Sequence, residues 1–133
     1  MKKLLLLSMF FSVLLSCSGD SDIIPDDTSG NISGGWILKA EYHEMVRQPL
    51  SECRLNENLF FEGTKIATTK AAEISESNCN LTAAEGTFLR SNNVLSITLP
   101  NESQNYKIKE LTKVKLVLNL ENSGKSFEYE RLQ

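Results

Sequence analysis

Residues 36–42 read Trp36-Ile37-Leu38-Lys39-Ala40-Glu41-Tyr42, and in this run apolar and polar side chains alternate with a period of two. One face carries Trp36, Leu38, Ala40 and Tyr42, whereas the other carries the charged Lys39 and Glu41. A strand with one buried and one solvated face requires this alternation. The run therefore predicts a β-strand that lines the core of an all-β domain.

The same alternation recurs further along the chain, and shorter apolar runs between turn residues predict weaker strands. No segment after residue 33 has a helical stripe of useful length. Together with the first strand, the predicted strands are 59–62, 65–74, 86–90, 94–99, 105–111, 114–120 and 126–130. The sequence thus predicts eight strands, nearly all of them joined by short turns.

Short connections place successive antiparallel strands side by side, which gives an up-and-down meander. Eight is also the number of strands at which such a sheet closes and removes its own edges. An immunoglobulin-like sandwich is the rival architecture, and it expects a tryptophan between two bridged cysteines. Here Trp36 precedes both Cys53 and Cys79. The sequence therefore favours an eight-stranded up-and-down antiparallel β-barrel.

The interior of an eight-stranded barrel is just wide enough to be filled by side chains or to hold one small ligand. Twelve large side chains are expected to point inward, namely Leu38, Tyr42, Phe61, Phe88, Leu95, Ile97, Tyr106, Ile108, Leu116, Leu118, Phe127 and Tyr129. If they leave space between them, they are the candidate ligand-binding residues. If they fill the barrel, the domain has a packed core and no ligand, and the sequence leaves both alternatives open.

The sequence offers little material for catalysis or metal binding. His43 is the only histidine, so a zinc site with several histidines is excluded and a Ser-His-Asp triad would depend on this residue. No nucleophile elbow, Gly-rich phosphate loop or Cys-x-x-Cys pair occurs. We therefore expect a protein that is not an enzyme and that uses no metal and no cofactor.

The first seventeen residues have the layout of an export signal. Lys2 and Lys3 precede an apolar run, residues 4–15, that is too short for a permanent membrane span. The run ends in Leu14-Leu15-Ser16-Cys17, which resembles the lipobox of bacterial lipoproteins. This resemblance implies that residues 1–16 are removed as a signal peptide and that palmitate-like acyl chains on Cys17 anchor the protein. The alternative is an ordinary signal peptide with a chance cysteine.

Residues 17–33 are rich in Ser, Gly, Asp and Pro, and they predict a flexible lipidated tether ahead of a barrel that spans residues 34–133. Without residues 1–16 the chain keeps 12 basic and 17 acidic residues, for a net charge of −5. Nucleic acid is therefore not an expected partner, because phosphate binding needs clustered Lys and Arg. Cys53 and Cys79 predict a disulfide in an oxidising compartment, with two free buried thiols as the alternative.

Gly34-Gly35-Trp36 at the start of the first strand resembles the Gly-x-Trp motif of lipocalins. Arg131 stands where lipocalins place an arginine that packs over this tryptophan. With the lipobox and the strand order, the chain resembles the small lipocalin-like lipoproteins of Gram-negative bacteria. The resemblance implies structural roles for Trp36 and Arg131. It also implies that the long first connection, from His43 to Asn58, partly covers the open end of the barrel and forms the rim of a site, with a loop merely held by its disulfide as the alternative.

Two functions follow as expectations. The first is a lipid-anchored envelope protein whose barrel binds a small apolar ligand. The second is a protein-binding barrel with a filled core and no ligand, either an accessory subunit of a surface complex or a protease inhibitor. Ser18 directly after the lipidated cysteine resembles the outer-membrane sorting signal, and the acids that follow resemble, more weakly, signals for export to the cell surface. We expect an outer-membrane anchor and leave surface exposure open.

Overall fold

The computed structural model describes residues 27–75 and 78–133, so the predicted signal peptide and Cys17 lie outside the described residues. Within them the chain forms nine strands and one 3₁₀ turn, Arg54–Asn56. The strands are β1 (Gly34–His43), β2 (Val46–Gln48), β3 (Asn58–Glu62), β4 (Lys65–Ser75), β5 (Asn78–Ser91), β6 (Val94–Leu99), β7 (Glu102–Leu111), β8 (Lys115–Leu120) and β9 (Lys125–Arg131). Each strand predicted from the sequence is present, and β2 and the first half of β5 are additional.

Eight of these strands form a closed antiparallel barrel in sequence order. From β3 to β9 each strand pairs with the next, and β1 closes the barrel by pairing with both β3 and β9. The short β2 lies outside this ring and folds back on the end of β1 as a hairpin. The predicted eight-stranded up-and-down barrel is confirmed, and the β1–β9 pairing is incompatible with the sandwich alternative.

The strand directions give the barrel two different ends. The closed end contains the start of β1 and the turns at residues 63–64, 92–93 and 112–114, and the mouth contains residues 44–57, 100–101 and 121–124. An apolar core fills the barrel from the closed end upward; it consists of Ile32, Trp36, Phe61, Ile66, Leu95, Ile97, Ile108, Leu111, Leu116 and Leu118. Among the described residues, the space left inside the barrel therefore lies at the mouth.

A strap formed by residues 27–33 crosses the closed end. The Trp36 indole Nε1 donates a hydrogen bond to the Ile32 carbonyl at 2.8 Å, and the Leu111 amide donates to the Asp27 carbonyl at 2.6 Å. The Arg90 guanidinium donates to the carbonyls of Thr28 and Gly30. The prediction of a flexible tether up to residue 33 is therefore wrong for its last seven residues, because their backbone is bonded to the barrel. The part of the tether before Asp27 lies outside the described residues.

A β-bulge in β1 changes which side chains face the core. Leu38 pairs with Tyr129 and Ala40 pairs with Glu128, so Lys39 is an extra residue in the ladder. One extra residue reverses the inside–outside alternation that follows it. Glu41, predicted on the wet face, is consequently buried with 5% exposure. Tyr42, predicted to point inward, instead lies on the opposite face from Glu41, so both predictions are wrong for the same reason.

The β4–β5 hairpin extends beyond the barrel as a two-stranded ribbon. β3 pairs with β4 only as far as Thr69, and β6 begins to pair with β5 only at Thr87. At the junction, a Cβ added to Gly86 would lie 2.0 Å from the Thr98 carbonyl oxygen, so β5 can approach β6 here only without a side chain. The ribbon rises from the mouth, where it meets the first connection.

Candidate functional site

A cavity of about 50 Å³ lies inside the mouth, above the apolar core. Its floor is apolar and includes Ile97 and Leu118, whereas its walls carry the hydroxyls of Thr68, Tyr106 and Tyr129. Glu57, Lys70 and Glu102 stand at its rim. The cavity thus combines an apolar base with polar groups, which is the usual composition of a small-molecule site.

The Thr68 hydroxyl is the most informative group in the cavity wall. Thr68 is only 4% exposed, and its Oγ1 has no hydrogen-bond partner among the described residues. Buried polar atoms in folded proteins nearly always have a partner, and one without a partner costs about 1–3 kcal/mol. The hydroxyl is therefore available to a group that enters the cavity.

Two tyrosines complete the polar wall. Burial, together with the negative charge of Glu102, raises the pKa of Tyr106 to about 12, and its hydroxyl donates to the Gln104 side-chain oxygen. Burial also raises the pKa of Tyr129, with smaller contributions from Tyr106 and Glu57. Both phenols are therefore neutral near pH 7. The Tyr106 hydroxyl, whose proton is donated to Gln104, can still accept a hydrogen bond, and the Tyr129 hydroxyl can donate or accept one.

The segment of residues 51–57, which we call the lid, contains the 3₁₀ turn and lies at the mouth against β1 and β4. Its last residue, Glu57, lines the cavity. Its Arg54 guanidinium donates to Glu57 at 3.1 Å and to the buried Glu41 of β1. Glu41 also lies 2.5 Å from the Nε2 atom of His43, the residue that follows it on the same face of β1. Hydrogen bonds between charged side chains therefore hold the lid against β1.

These contacts set the protonation states under the lid. Burial acts to raise the pKa of Glu41, but the hydrogen bonds from Arg54 and His43 outweigh it and hold this pKa below its ordinary value. Burial acts to lower the pKa of Arg54, and its hydrogen bonds to Glu57 and Glu41 outweigh that effect and raise it. Glu41 and Arg54 therefore form a charged pair at neutral pH.

The predicted disulfide is confirmed between Cys53 and Cys79, with a Cα–Cα distance of 5.3 Å. Cys53 caps the 3₁₀ turn of the lid, and Cys79 belongs to the ribbon, where it pairs with Glu73. The lid is consequently held from two sides, by the ion pairs on β1 and by the disulfide on the ribbon. The Lys70–Glu102 ion pair spans the rim between β4 and β7.

The twelve residues predicted to point inward separate into several groups. Four of them line the cavity: Ile97, Tyr106, Leu118 and Tyr129. Five lie in the core or pack against it: Phe61, Phe88, Leu95, Ile108 and Leu116. Leu38 is fully buried on β1, Phe127 is partly buried on β9, and Tyr42 faces away, as described above. The predicted packing of Arg131 over Trp36 is present, since the Arg131 guanidinium lies 4.1 Å from the centroid of the Trp36 ring.

Sequence reasoning missed Thr68, Arg54 and Glu57. The alternation of Ile66 and Thr68 in a predicted strand was a signal that Thr68 shares the inward face. Arg54 and Glu57 lie in the first connection, which by resemblance partly covers the open end. This connection has no periodicity, so no sequence pattern singles out these two side chains.

Other kinds of site find no support among the described residues. Within residues 27–75 and 78–133 no group of three or more His, Cys, Asp or Glu side chains could hold a metal ion. The same part of the chain contains no helix long and apolar enough to cross a bilayer. The chemistry that the mouth offers is hydrogen bonding next to apolar contact, which is the chemistry of binding.

The chain is similar to a known protein family and to solved structures. A family model described as "Lipocalin-like domain" matches residues 32–118. A lipocalin-like protein from Bacteroides uniformis ATCC 8492 is 15% identical with a TM-score of 0.62, and an uncharacterized protein from Bacteroides eggerthii DSM 20697 is 16% identical with a TM-score of 0.58. Each comparison covers 77% of this chain and 100% of the other. No curated protein matches.

Proposed function

The chain belongs to the lipocalin-like domain family, and from this premise we propose that it is a lipid-anchored envelope protein that binds a small ligand at the mouth of its barrel. The ligand has an apolar body and one group that forms hydrogen bonds. The protein acts by binding and not by catalysis. The observation that supports this proposal is the buried Thr68 hydroxyl, which has no partner in the described part of the chain and lines a cavity with two neutral tyrosines and an apolar floor.

The cavity volume restricts how such a ligand binds. Pockets for drug-sized molecules measure roughly 300–1,000 Å³, whereas this cavity measures about 50 Å³. Only one end of a small molecule fits while the lid is in place. The remainder of the ligand would lie at the rim, between the lid and the ribbon, or a longer insertion would displace the lid.

The test uses the purified domain without its signal, residues 18–133. Native mass spectrometry reports ligands that co-purify, and titration with a fluorescent fatty acid reports binding of an amphipathic probe. Thr68→Val should weaken the binding of this probe by about fivefold, which corresponds to one hydrogen bond of about 1 kcal/mol. Thr98→Val is the matched control, since Thr98 is exposed on β6.

Two results would contradict ligand binding at the mouth. One is the absence of any co-purified ligand together with a dissociation constant above about 100 μM, a binding free energy weaker than about −5.5 kcal/mol. The other is equal weakening of probe binding by Thr68→Val and by the Thr98→Val control.

The anchor is tested separately at Cys17, whose thiol accepts the acyl chain in the proposed processing. Cells that express the full chain are labelled with a palmitate analogue and then fractionated. Cys17→Ser should abolish labelling and leave the fold of the barrel unchanged, because the described part of the barrel domain begins ten residues later, at Asp27. Retention of label by the Cys17→Ser protein would disprove the lipid anchor and the proposed outer-membrane location.

One observation favours a protein partner as a second candidate function. At the tip of the β1–β2 hairpin, Glu44 and Met45 have positive φ angles of 47° and 68°, a conformation that usually selects Gly or Asn. Met45 is 94% exposed and Val46 is 63% exposed. Strain and exposed apolar side chains together are typical of a contact surface.

Pull-down from envelope extracts tests for such a partner, with the lipid-free domain and its Met45→Asn variant as the two baits. Equal recovery of partners by both proteins would contradict a contact surface at this hairpin.

A further inference from the structure

The strap fixes where the chain enters the barrel. Asp27, the first described residue, is bonded through its carbonyl oxygen to the Leu111 amide at the closed end. The Gly30 amide donates to the Leu111 carbonyl at 2.8 Å, so the strap binds both backbone groups of Leu111. The described chain therefore begins at the closed end, opposite the mouth.

The length of the preceding chain restricts the distance to a lipid on Cys17. Cys17 lies ten positions before Asp27, and at 3.3–3.6 Å per position this length of chain spans at most about 35 Å. A ten-residue strand such as β1, tilted as in an eight-stranded barrel, rises about 25 Å along the barrel axis. To bring the mouth onto the bilayer, the tether would have to run back along most of the barrel, nearly fully extended. No such extension is needed when the closed end faces the bilayer.

The closed end also presents apolar side chains to its surroundings. Val114, at the tip of the β7–β8 turn, is 63% exposed, and Leu132 is 48% exposed. They lie close together, because the Arg131 amide donates to the Val114 carbonyl at 2.9 Å. The exposed Lys113 precedes Val114 and can approach lipid phosphates. Apolar side chains are exposed at the mouth as well, so the attachment of the chain, and not apolar exposure alone, distinguishes the two ends.

We propose that the closed end, with Val114 and Leu132 at its tip, is a membrane-docking surface and that the mouth opens away from the bilayer that holds the anchor. This inference rests on the proposed lipid anchor at Cys17. It adds that the ligand or partner reaches the mouth from the aqueous side and not from the anchoring leaflet. The lid and the ribbon would then be the parts of the protein most distant from the membrane.

The experiment uses the full lipidated protein reconstituted in phosphatidylcholine vesicles. A nitroxide is attached to Val114→Cys at the closed end or to Asn101→Cys in a mouth turn, under conditions that preserve the native disulfide. Electron paramagnetic resonance saturation then compares collisions with oxygen, which concentrates in the bilayer, and with a water-soluble nickel complex. The label at position 114 should favour oxygen, and the label at position 101 should favour nickel.

Two controls separate the possible failures. The mass of the purified protein reports acylation, so loss of the anchor is recognised independently of orientation. The same two labels on the lipid-free domain, residues 18–133, mixed with vesicles give the unanchored reference. For the acylated protein, equal nickel accessibility of both labels, or oxygen contact at position 101 instead of 114, would overturn the docking surface. Circular dichroism confirms that both labelled variants are folded.

Discussion

Arg54 of the lid and Glu41 of β1 form an ion pair at the mouth, although they are thirteen positions apart in the sequence. The Glu41 side chain is 6% exposed, whereas that of Arg54 is 30% exposed. The carboxylate of Glu41 is thus deeply placed in the barrel wall, and the lid supplies most of its charge compensation. Lid position and barrel stability are therefore coupled through this pair.

Substitution of Arg54 should destabilise the domain. Arg54→Met keeps most of the apolar contact but leaves the Glu41 carboxylate with His43 as its remaining side-chain partner. Loss of one member of a fully buried pair costs about 3–5 kcal/mol, and partial exposure of Arg54 reduces this to about 2 kcal/mol. Urea unfolding followed by Trp36 fluorescence measures the loss. Arg47→Met, at an exposed position without an ion pair among the described residues, should be neutral; equal effects of the two substitutions would contradict the role of the pair.

The same pair should make stability depend on pH in the acid range. The pKa of Glu41 is held below its unfolded value of about 4.3. A carboxyl with a lowered folded-state pKa stabilises the fold above the unfolded pKa, and this contribution is lost as pH falls through the folded pKa. The free energy of unfolding should therefore fall from about pH 5 to pH 3. The difference between the native chain and Arg54→Met should shrink over this interval, and a constant difference would disprove the linkage.

The barrel was predictable because the sequence features that indicate strands and turns recur along the whole domain. Alternation along the strands and short turns between them specify strand order almost completely, and the Trp36–Arg131 contact followed from the motif at the start of β1. The bulge at Lys39 was not predictable, since an extra residue leaves the local alternation intact and appears only in the pairing with β9. That single residue reversed the predicted positions of Glu41 and Tyr42.

The mouth was less predictable than the core for a physical reason. Its floor and walls include alternating strand residues, and the alternation predicts that Ile97, Tyr106, Leu118 and Tyr129 point inward. Its lid is stabilised by a disulfide and by ion pairs between residues distant in sequence, which have no periodicity. The strap was mistaken for tether because its composition is polar, although backbone hydrogen bonds and the buried Ile32 hold it to the barrel.

Removal of the unpaired hydroxyl should stabilise the ligand-free domain. Thr68→Val replaces a buried polar atom that has no partner in the described structure by a methyl group of similar size. The expected gain is about 1 kcal/mol, or a rise in Tm of about 4–8 °C for a domain of this size. Differential scanning calorimetry of the ligand-free domain, residues 18–133, measures the change in Tm, with Thr98→Val as the reference variant. A lower Tm for Thr68→Val would indicate that the hydroxyl is already satisfied, for example by an ordered water.

Arg131 should stabilise the attachment of the strap to the closed end. Its guanidinium donates to the carbonyls of Ser33 and Lys113 at 2.6 and 2.7 Å, and it stacks on Trp36. Arg131→Met removes these hydrogen bonds and the cation–π contact, so we expect a loss of about 2 kcal/mol and faster exchange of the Gly30 and Leu111 amides. Arg131→Lys keeps the charge but not the planar donor geometry, and should give an intermediate loss. Unchanged exchange in Arg131→Met would show that the strap is held without it.

The disulfide should contribute both to global stability and to the position of the lid. Cys53 and Cys79 are separated by 26 positions, and closing a loop of this length stabilises the fold by about 3 kcal/mol on the chain-entropy model. The double variant Cys53→Ser, Cys79→Ser should lose about this amount in urea unfolding. Since the ion pairs on β1 still hold one side of the lid, the barrel should remain folded while amide exchange rises at residues 51–57. Combining the double variant with Arg54→Met removes both attachments, so exchange in the lid should then exceed the sum of the separate increases. Strictly additive increases would mean that the two attachments restrain different parts of the lid.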